Sequence, residues 1–196
     1  MTTVDTASIK RIREQTGMSV MACRKALEVA KGDEGKALVF LQKAGVDAAA
    51  KKTGRAVGEG VIGVYRHANH RIGAMVEMRC ETDFVAKNAA FQGFAHEIAM
   101  HIAASAPRYV ALEDIPEDVI VELRTVADEE TRELDKPASV KEQILAAKLE
   151  HYKKRITLLE QPYIKNPDIT IGAHVTEAVQ KFGEHIRIAR FARLEI

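Results

Sequence analysis

The sequence Cys80-Glu81-Thr82-Asp83-Phe84-Val85 marks a change from a strand pattern to a helix pattern. Before it, every second residue is apolar: Ile72, Ala74, Val76, Met78 and Cys80. This period of two predicts a half-buried β-strand. After it, apolar residues recur at helical spacing: Phe91, Phe94, Ile98 and Ile102. The junction therefore predicts a strand followed by a helix, with Thr82 or Asp83 capping the first free N–H groups of the helix.

The side chain of Phe84 admits two interpretations. In the first, the ring is a hydrophobic staple that packs against its own helix beside a capping residue. In the second, the ring is exposed and anchors the protein in a pocket of a partner, with the carboxylate of Asp83 beside it. The local spacing is compatible with both interpretations.

The composition describes a chain that can form a folded core. The chain has 196 residues, of which 46% are hydrophobic and 29% charged, and its formal net charge is +1. This length and composition predict a soluble protein of one or two domains, without the overall charge that would attract nucleic acid or an anionic membrane. No apolar run approaches the roughly 20 residues of a membrane span, and the polar, acidic start differs from a signal peptide. We therefore expect a cytoplasmic protein.

Residues 1–45 predict three short helices. Ser19 and Asp33 are suitable N-caps for the second and third helices, and Gly32 and Gly45 are suitable stops. Residues 46–59 are small and basic and predict a linker. The expected domains are thus a three-helix module at 1–45, a linker at 46–59 and a core at 60–196.

The core at 60–196 predicts an α+β fold. Two strand patterns flank the turn Ala68-Asn69-His70 and indicate an antiparallel hairpin. Two long helical patterns at about 116–157 are joined by a short proline-containing turn and indicate a helical hairpin. A last helix at 171–182 precedes a strand beginning near Ile186, which we expect to complete a small antiparallel sheet.

The sequence contains no recognisable catalytic constellation. No nucleophile with a base, P-loop or pair of carboxylates on one predicted surface is present. Residues 58–63 match G-x-G-x-x-G, but a strand pattern follows them where a dinucleotide site needs a helix. The cysteines Cys23 and Cys80 lack zinc-site spacing and are expected to be small core residues. We therefore expect no enzymatic activity, no metal and no cofactor.

The motif Thr82-Asp83-Phe84-Val85 closely resembles the signature of the bacterial translation elongation factor Ts family. Cys80-Glu81 before it and Ala86-Lys87-Asn88 after it extend the match. The resemblance extends over the whole chain. Residues 1–45 resemble the ubiquitin-associated type of domain with which members of this family begin. Tyr65-Arg66-His67 resembles a second family segment.

The resemblance implies a guanine-nucleotide exchange factor for elongation factor Tu in its GDP-bound and nucleotide-free states. In that family, the Asp-Phe step enters the partner, disturbs its magnesium ion and releases GDP. Thr82 and Val85 would then shape the turn that presents Asp83 and Phe84. The family's other contact positions correspond to Arg13, Val20, Met21 and His67. Without the resemblance, we would interpret Arg13 as surface charge and the apolar pair as core.

The resemblance to short family members also implies a homodimer. Longer members carry two related sheet modules, one with the Asp-Phe motif and one with the histidine segment, whereas this chain holds both in one module. Each partner molecule would then meet His67 of one subunit and Phe84 of the other. The last strand contains no cysteine, so the dimer is expected to be noncovalent.

Two other functions are compatible with parts of the sequence. The first is a ubiquitin-type interaction module, which predicts that residues 1–45 carry the activity alone. The second is an RNA-binding module using the basic residues within 51–55 and 148–155, which predicts strong salt dependence. The nearly balanced charge and the aromatic content of 5% make direct nucleic-acid binding the weaker expectation.

Overall fold

The computed structural model describes residues 4–196, except for the side chains of residues 46, 48 and 49. The helices are α1 Thr6–Thr16, α2 Val20–Val29, α3 Glu34–Ala50, α4 Asp83–Ala86, α5 Ala89–Ser105, α6 Glu117–Arg132, α7 Ala138–Ile156 and α8 Ile171–Phe182. The strands are β1 Glu59–Arg66, β2 Ile72–Cys80, β3 Pro162–Tyr163, β4 Asn166–Thr170 and β5 Arg187–Glu195. The predicted α+β class is confirmed.

The chain divides into two compact units. Among the described residues, unit 1 consists of residues 4–61, 78–94 and 174–187, and unit 2 consists of residues 62–77, 95–173 and 188–196. The boundaries predicted at residues 45 and 59 remain a prediction, and residues 1–3 of the predicted module lie outside the described residues. Within the described residues, no helix has the length and apolar character needed to span a membrane.

Three helices form the start of unit 1. Asp5 and Ser19 cap α1 and α2 by accepting hydrogen bonds from the amides of Ala7 and Ala22. Gly17, with φ of 66°, ends α1 in the left-handed conformation that glycine adopts without strain. The shared core consists of Ile12, Cys23, Ala26, Leu27, Ala37 and Leu41. The three-helix prediction is therefore confirmed, while its likeness to a ubiquitin-associated domain remains a prediction.

The sequence pattern predicts that the third helix ends at Gly45. In the structure, helix α3 continues to Ala50. The physical reason is that Gly45 serves close packing rather than chain termination. A Cβ at this position would overlap the side chain of Gln180 on α8. The first residues of the predicted linker are consequently helical.

The strands β1, β2 and β5 form a three-stranded sheet in the order β1-β2-β5. The predicted alternation of β2 is confirmed, since Ala74, Val76, Met78 and Cys80 are buried and the intervening residues are more exposed. The final strand joins the hairpin as expected. The two cysteines are free and buried, as predicted.

Unit 2 contains the predicted helical hairpin, in which α6 and α7 pack on each other. Glu130 on α6 accepts hydrogen bonds from Lys148 and from the Tyr152 hydroxyl on α7, the latter at 2.5 Å. A short antiparallel ribbon of β3 and β4, which the sequence pattern did not predict, follows the hairpin. One basic residue of α7, Lys148, is thus paired with one acidic residue of α6, Glu130.

Candidate functional site

The segment from Thr82 to Val85 forms a capped turn at the end of β2. Thr82 has the extended backbone of an N-cap residue, and its hydroxyl accepts a hydrogen bond from the Val85 amide at 3.4 Å. The helix that it caps, α4, has only four residues and is followed by α5 after Lys87 and Asn88. The predicted cap at Thr82 is confirmed, but the single helix predicted after it is divided in two.

The two apolar residues of this turn differ sharply in their exposure to solvent. Val85 is buried, whereas 78% of Phe84 is exposed to solvent. The interpretation of Phe84 as a residue packed against its own helix is therefore wrong. The buried Val85 and the capping Thr82 fix both ends of a turn whose middle projects an aromatic ring into water.

The carboxylate of Asp83, beside this ring, is ionised and forms an exposed ion pair with Lys87. Asp83 accepts a hydrogen bond from the Lys87 ammonium at 2.7 Å, and both side chains are largely exposed. This hydrogen bond, together with the charge of Lys87, holds the pKa of Asp83 below its ordinary value. Asp83 therefore carries a negative charge at neutral pH. Within residues 4–196, no group of three or more side chains that could hold a metal ion is present.

A second carboxylate, which the sequence analysis did not identify, lies behind the turn. Glu184 accepts hydrogen bonds from the amides of Glu81 and Thr82 at 3.0 and 3.1 Å and from the Thr82 hydroxyl at 2.6 Å. It follows Gly183, whose φ of 74° ends α8. The glycine signals a chain reversal in the sequence, but no local signal indicates that the next residue contacts Thr82.

The three predicted contact residues of the N-terminal helices are all exposed. Arg13 lies on α1, and Val20 and Met21 occupy the first turn of α2. Val20 is 47% exposed and Met21 is 72% exposed, so the interpretation of this pair as core is wrong. These residues and the turn at 82–85 belong to unit 1.

His67 lies in unit 2, at the start of the turn between β1 and β2. Its amide donates to the Ile72 carbonyl at 2.8 Å, and its Nδ1 lies 3.1 Å from the Tyr65 hydroxyl. The ring of Tyr65 also packs edge-on against His96 at a centroid distance of 5.7 Å. The exposed imidazole of His67 is thus supported by an aromatic neighbour on β1.

Known proteins resemble this chain along almost its entire length. A family model described as elongation factor TS matches residues 42–196. Elongation factor Ts of Carboxydothermus hydrogenoformans is 48% identical over 188 residues, which cover 96% of this chain and 87% of that protein. Elongation factor Ts of Desulfosudis oleivorans is 43% identical over 196 residues, covering 100% of this chain and 99% of that protein. The chain belongs to the elongation factor Ts family.

Proposed function

We propose that this protein is a guanine-nucleotide exchange factor for elongation factor Tu and performs no covalent chemistry. Family membership supports the identity of the partner. The observation that carries the proposal is the exposure of Phe84 at a turn whose two ends are fixed. A large apolar side chain held in water is a suitable anchor for a pocket of another protein. The proposed role belongs in the cytoplasm, where translation takes place.

Exchange follows from linkage between two binding equilibria. Suppose that an exchange protein binds the nucleotide-free partner more tightly than the GDP-bound partner. It must then weaken the partner's affinity for GDP by the same ratio. We assign the intruding group to Phe84 and the negative charge near the partner's magnesium ion to Asp83. A carboxylate that is already ionised can perturb the cation without first losing a proton. Thr82 and Val85 hold the turn in place during this step.

The exposed residues of the N-terminal helices supply a second contact in the proposal. Val20 and Met21 form an apolar pair on the first turn of α2, and Arg13 contributes a cation from α1. An exposed apolar pair and an exposed cation on the same three-helix segment are suited to bind the rim of the partner's nucleotide pocket. The contact contributes affinity and leaves the disturbance of magnesium to the turn at 82–85.

Internal pairing supports the absence of a direct nucleic-acid function. Lys52 donates to the Gly183 carbonyl at 2.6 Å, and Arg55 lies 3.5 Å from the carboxylate of Glu81. On α7, Lys148 pairs with Glu130. These contacts occupy cations in both basic stretches that an RNA-binding function would need for phosphate contacts.

We further propose that the protein acts as a noncovalent homodimer. Ile62, Val64 and Met75 are more than half exposed on the sheet within unit 2. Ile62 and Met75 line one surface depression together with Phe191. A second copy of the same apolar surface would cover these side chains. In the dimer, each partner molecule would contact His67 of one subunit and Phe84 of the other.

Light scattering tests the dimer. The wild-type mass should be twice the 21.6 kDa of the chain, and Ile62→Asp should reduce it toward the monomer. Val121→Asp on α6 is the matched control, because Val121 is 56% exposed and Ile62 is 59% exposed. A monomeric wild type, alone and with partner, would overturn the proposal.

Mixing two inactive variants tests the shared site. A heterodimer of His67→Ala and Phe84→Ala subunits contains one doubly altered site and one intact site if the two residues act across the dimer. The mixture should then regain exchange activity that neither variant has alone. The absence of recovery, with subunit exchange verified, would place both residues on the same partner from one subunit.

The central experiment is stopped-flow release of fluorescent GDP from elongation factor Tu. Wild-type protein should accelerate release. Phe84→Ala should lower the maximal rate by about 30-fold or more, because the ring is proposed to make its contact, worth about 2 kcal/mol, while GDP is being displaced. Val121→Ala, at an exposed apolar residue of α6 outside the proposed partner and dimer surfaces, is the control. Equal maximal rates for wild type and Phe84→Ala would overturn the proposed role of the ring.

A further inference from the structure

Glu184 makes an unusually complete set of contacts with the backbone that precedes the Asp-Phe step. Its Oε2 accepts from the amides of Glu81 and Thr82, and its Oε1 accepts from the Thr82 hydroxyl. These donors lie directly after Cys80, the last residue of β2. A carboxylate is a strong acceptor for such groups. Glu184 thus satisfies the backbone at the point where the turn begins.

The hydroxyl of Thr82 connects Glu184 to the start of α4. A hydroxyl has one proton to donate and two lone pairs that accept. Since the proton is directed to Glu184 Oε1 at 2.6 Å, a lone pair remains for the Val85 amide at 3.4 Å. Glu184 therefore orients the hydroxyl that caps the helix, and the cap sets the direction in which Phe84 projects.

A return contact makes this arrangement reciprocal. The Glu81 carboxylate accepts from the His185 amide at 2.6 Å, and the His185 ring donates from Nδ1 to the Arg55 carbonyl at 2.9 Å. The hydrogen bond from His185, followed by the charge of Arg55, keeps the pKa of Glu81 below its ordinary value. Each of two acidic residues thus binds the backbone of the other's segment. We call Glu81, Thr82, Glu184 and His185 the carboxylate clasp.

The thiol of Cys80 adds a contact to the same segment. Its Sγ donates to the Thr82 carbonyl at 3.3 Å. Burial, and then the negative charge of Glu184, raise the pKa of this thiol. The thiol therefore stays protonated at neutral pH and remains a donor.

We propose that Glu184 is a positioning residue for the Asp83-Phe84 turn in nucleotide exchange. This inference rests on the proposed exchange function and assigns Glu184 no contact with the partner. A turn that is already in its binding conformation spends less free energy on ordering when it binds. Without the clasp, only a fraction of molecules presents Phe84 correctly, and the apparent affinity falls by that fraction. At saturation the partner selects the competent conformation, so the maximal rate is retained.

The test separates affinity from maximal rate in stopped-flow release of fluorescent GDP from elongation factor Tu. Glu184→Ala should raise the half-saturating concentration of the factor by about 10-fold and change the maximal rate by less than about two-fold. Glu184→Gln keeps one carbonyl acceptor and should give an intermediate shift. Glu177→Ala is the matched control, because Glu177 is an exposed residue of α8 that contacts His174 instead of the turn.

A double-variant cycle excludes a merely structural role. In the Phe84→Ala background, Glu184→Ala should shift the half-saturating concentration much less, because the ring is absent and only Asp83 remains to be placed. A general loss of folded protein would instead lower activity equally in both backgrounds and would appear as a changed unfolding curve. Equal effects in both backgrounds, or an unchanged half-saturating concentration, would overturn the assignment of Glu184. This outcome can be distinguished from failure of the exchange proposal. In that case Phe84→Ala by itself would leave the rate of GDP release unchanged.

Discussion

The turn at residues 82–85 and helix α5 each carry a phenylalanine, and the two rings differ in their exposure to solvent. Phe84 is exposed, whereas Phe91, on the first turns of α5, is fully buried and packs edge-to-face on Phe182 at a centroid distance of 5.5 Å. Burying such a side chain contributes about 1.5–3 kcal/mol, which the fold gains from Phe91 but not from Phe84. The difference indicates that Phe91 serves the stability of this protein and that Phe84 is available to another protein.

The largest expected effect compares the two rings directly. Phe91→Ala should lower the free energy of unfolding by about 3–5 kcal/mol, because it leaves a cavity in a packed core. Phe84→Ala should change it by less than about 0.5 kcal/mol, as is usual for exposed positions. Urea unfolding followed by circular dichroism measures both. Similar losses for the two variants would show that Phe84 packs internally in solution.

A second test uses His101, which lies on the buried side of α5. Its Nε2 is 3.0 Å from Gln161 Oε1, and its Nδ1 accepts from the Ile164 amide at 3.4 Å. Burial lowers the pKa of His101 in the folded protein. The unfolded chain therefore binds a proton more readily. The contribution of His101 to stability is complete above about pH 6.5 and decreases as the pH falls below that value.

Urea unfolding between pH 7.5 and pH 5 measures this dependence. His101→Phe should cost about 1–3 kcal/mol at pH 7.5, because the buried Gln161 side chain and the partly buried Ile164 amide lose their partner, and it should remove this part of the pH dependence. Phe84→Ala is the control and should keep the wild-type pH profile. An unchanged profile in His101→Phe would contradict the assignment to His101.

The cap of the exposed turn gives a smaller effect on stability. Thr82→Ala removes the acceptor for the Val85 amide and the hydroxyl donor to Glu184, and should cost about 1 kcal/mol. Thr82→Ser retains the hydroxyl and should restore most of the loss. Thermal unfolding of the three proteins provides the measurement. A serine variant as unstable as the alanine variant would show that the methyl group, rather than the hydroxyl, holds the turn.

The smallest effect is expected from the exposed pair of Asp83 and Lys87. Lys87→Ala should change the free energy of unfolding by less than Thr82→Ala does, because exposed ion pairs contribute little. Asp83 remains ionised at neutral pH without Lys87, since the ordinary pKa of aspartate is about 3.9. Urea unfolding in low and high salt tests this expectation. A loss as large as that of Thr82→Ala would assign Lys87 a structural role in the turn.

Local patterns predicted much of the fold because their causes lie within a few residues. The alternation along β2 gave the buried face, and Ser19 and Thr82 were identified as caps from their type and position. The pattern at Gly45 predicts a helix end wrongly, because a glycine that ends a helix and a glycine that admits a neighbouring side chain look the same in sequence. The ribbon of β3 and β4 was missed because its strands are too short to show a period.

In the candidate site, too, local patterns predict the motif, whereas the exposure of its side chains depends on packing. The motif at 82–85 was found from residue types alone, but the sequence did not decide whether Phe84 was staple or anchor, nor whether Val20 and Met21 were core or surface. Their exposure depends on which faces the neighbouring elements cover, and that is a property of packing.

The sequence by itself determined the strand, the capped turn, the order of the helices and the likeness to a known family. It could do so because hydrogen-bonding caps and hydrophobic periods act over one or two turns of chain. Only the tertiary structure decided that Phe84 projects into solvent and that Glu184 holds the turn behind it. The contact between Glu184 and the Thr82 hydroxyl joins residues 102 positions apart, and it exists only because the packed fold brings the end of α8 to the end of β2.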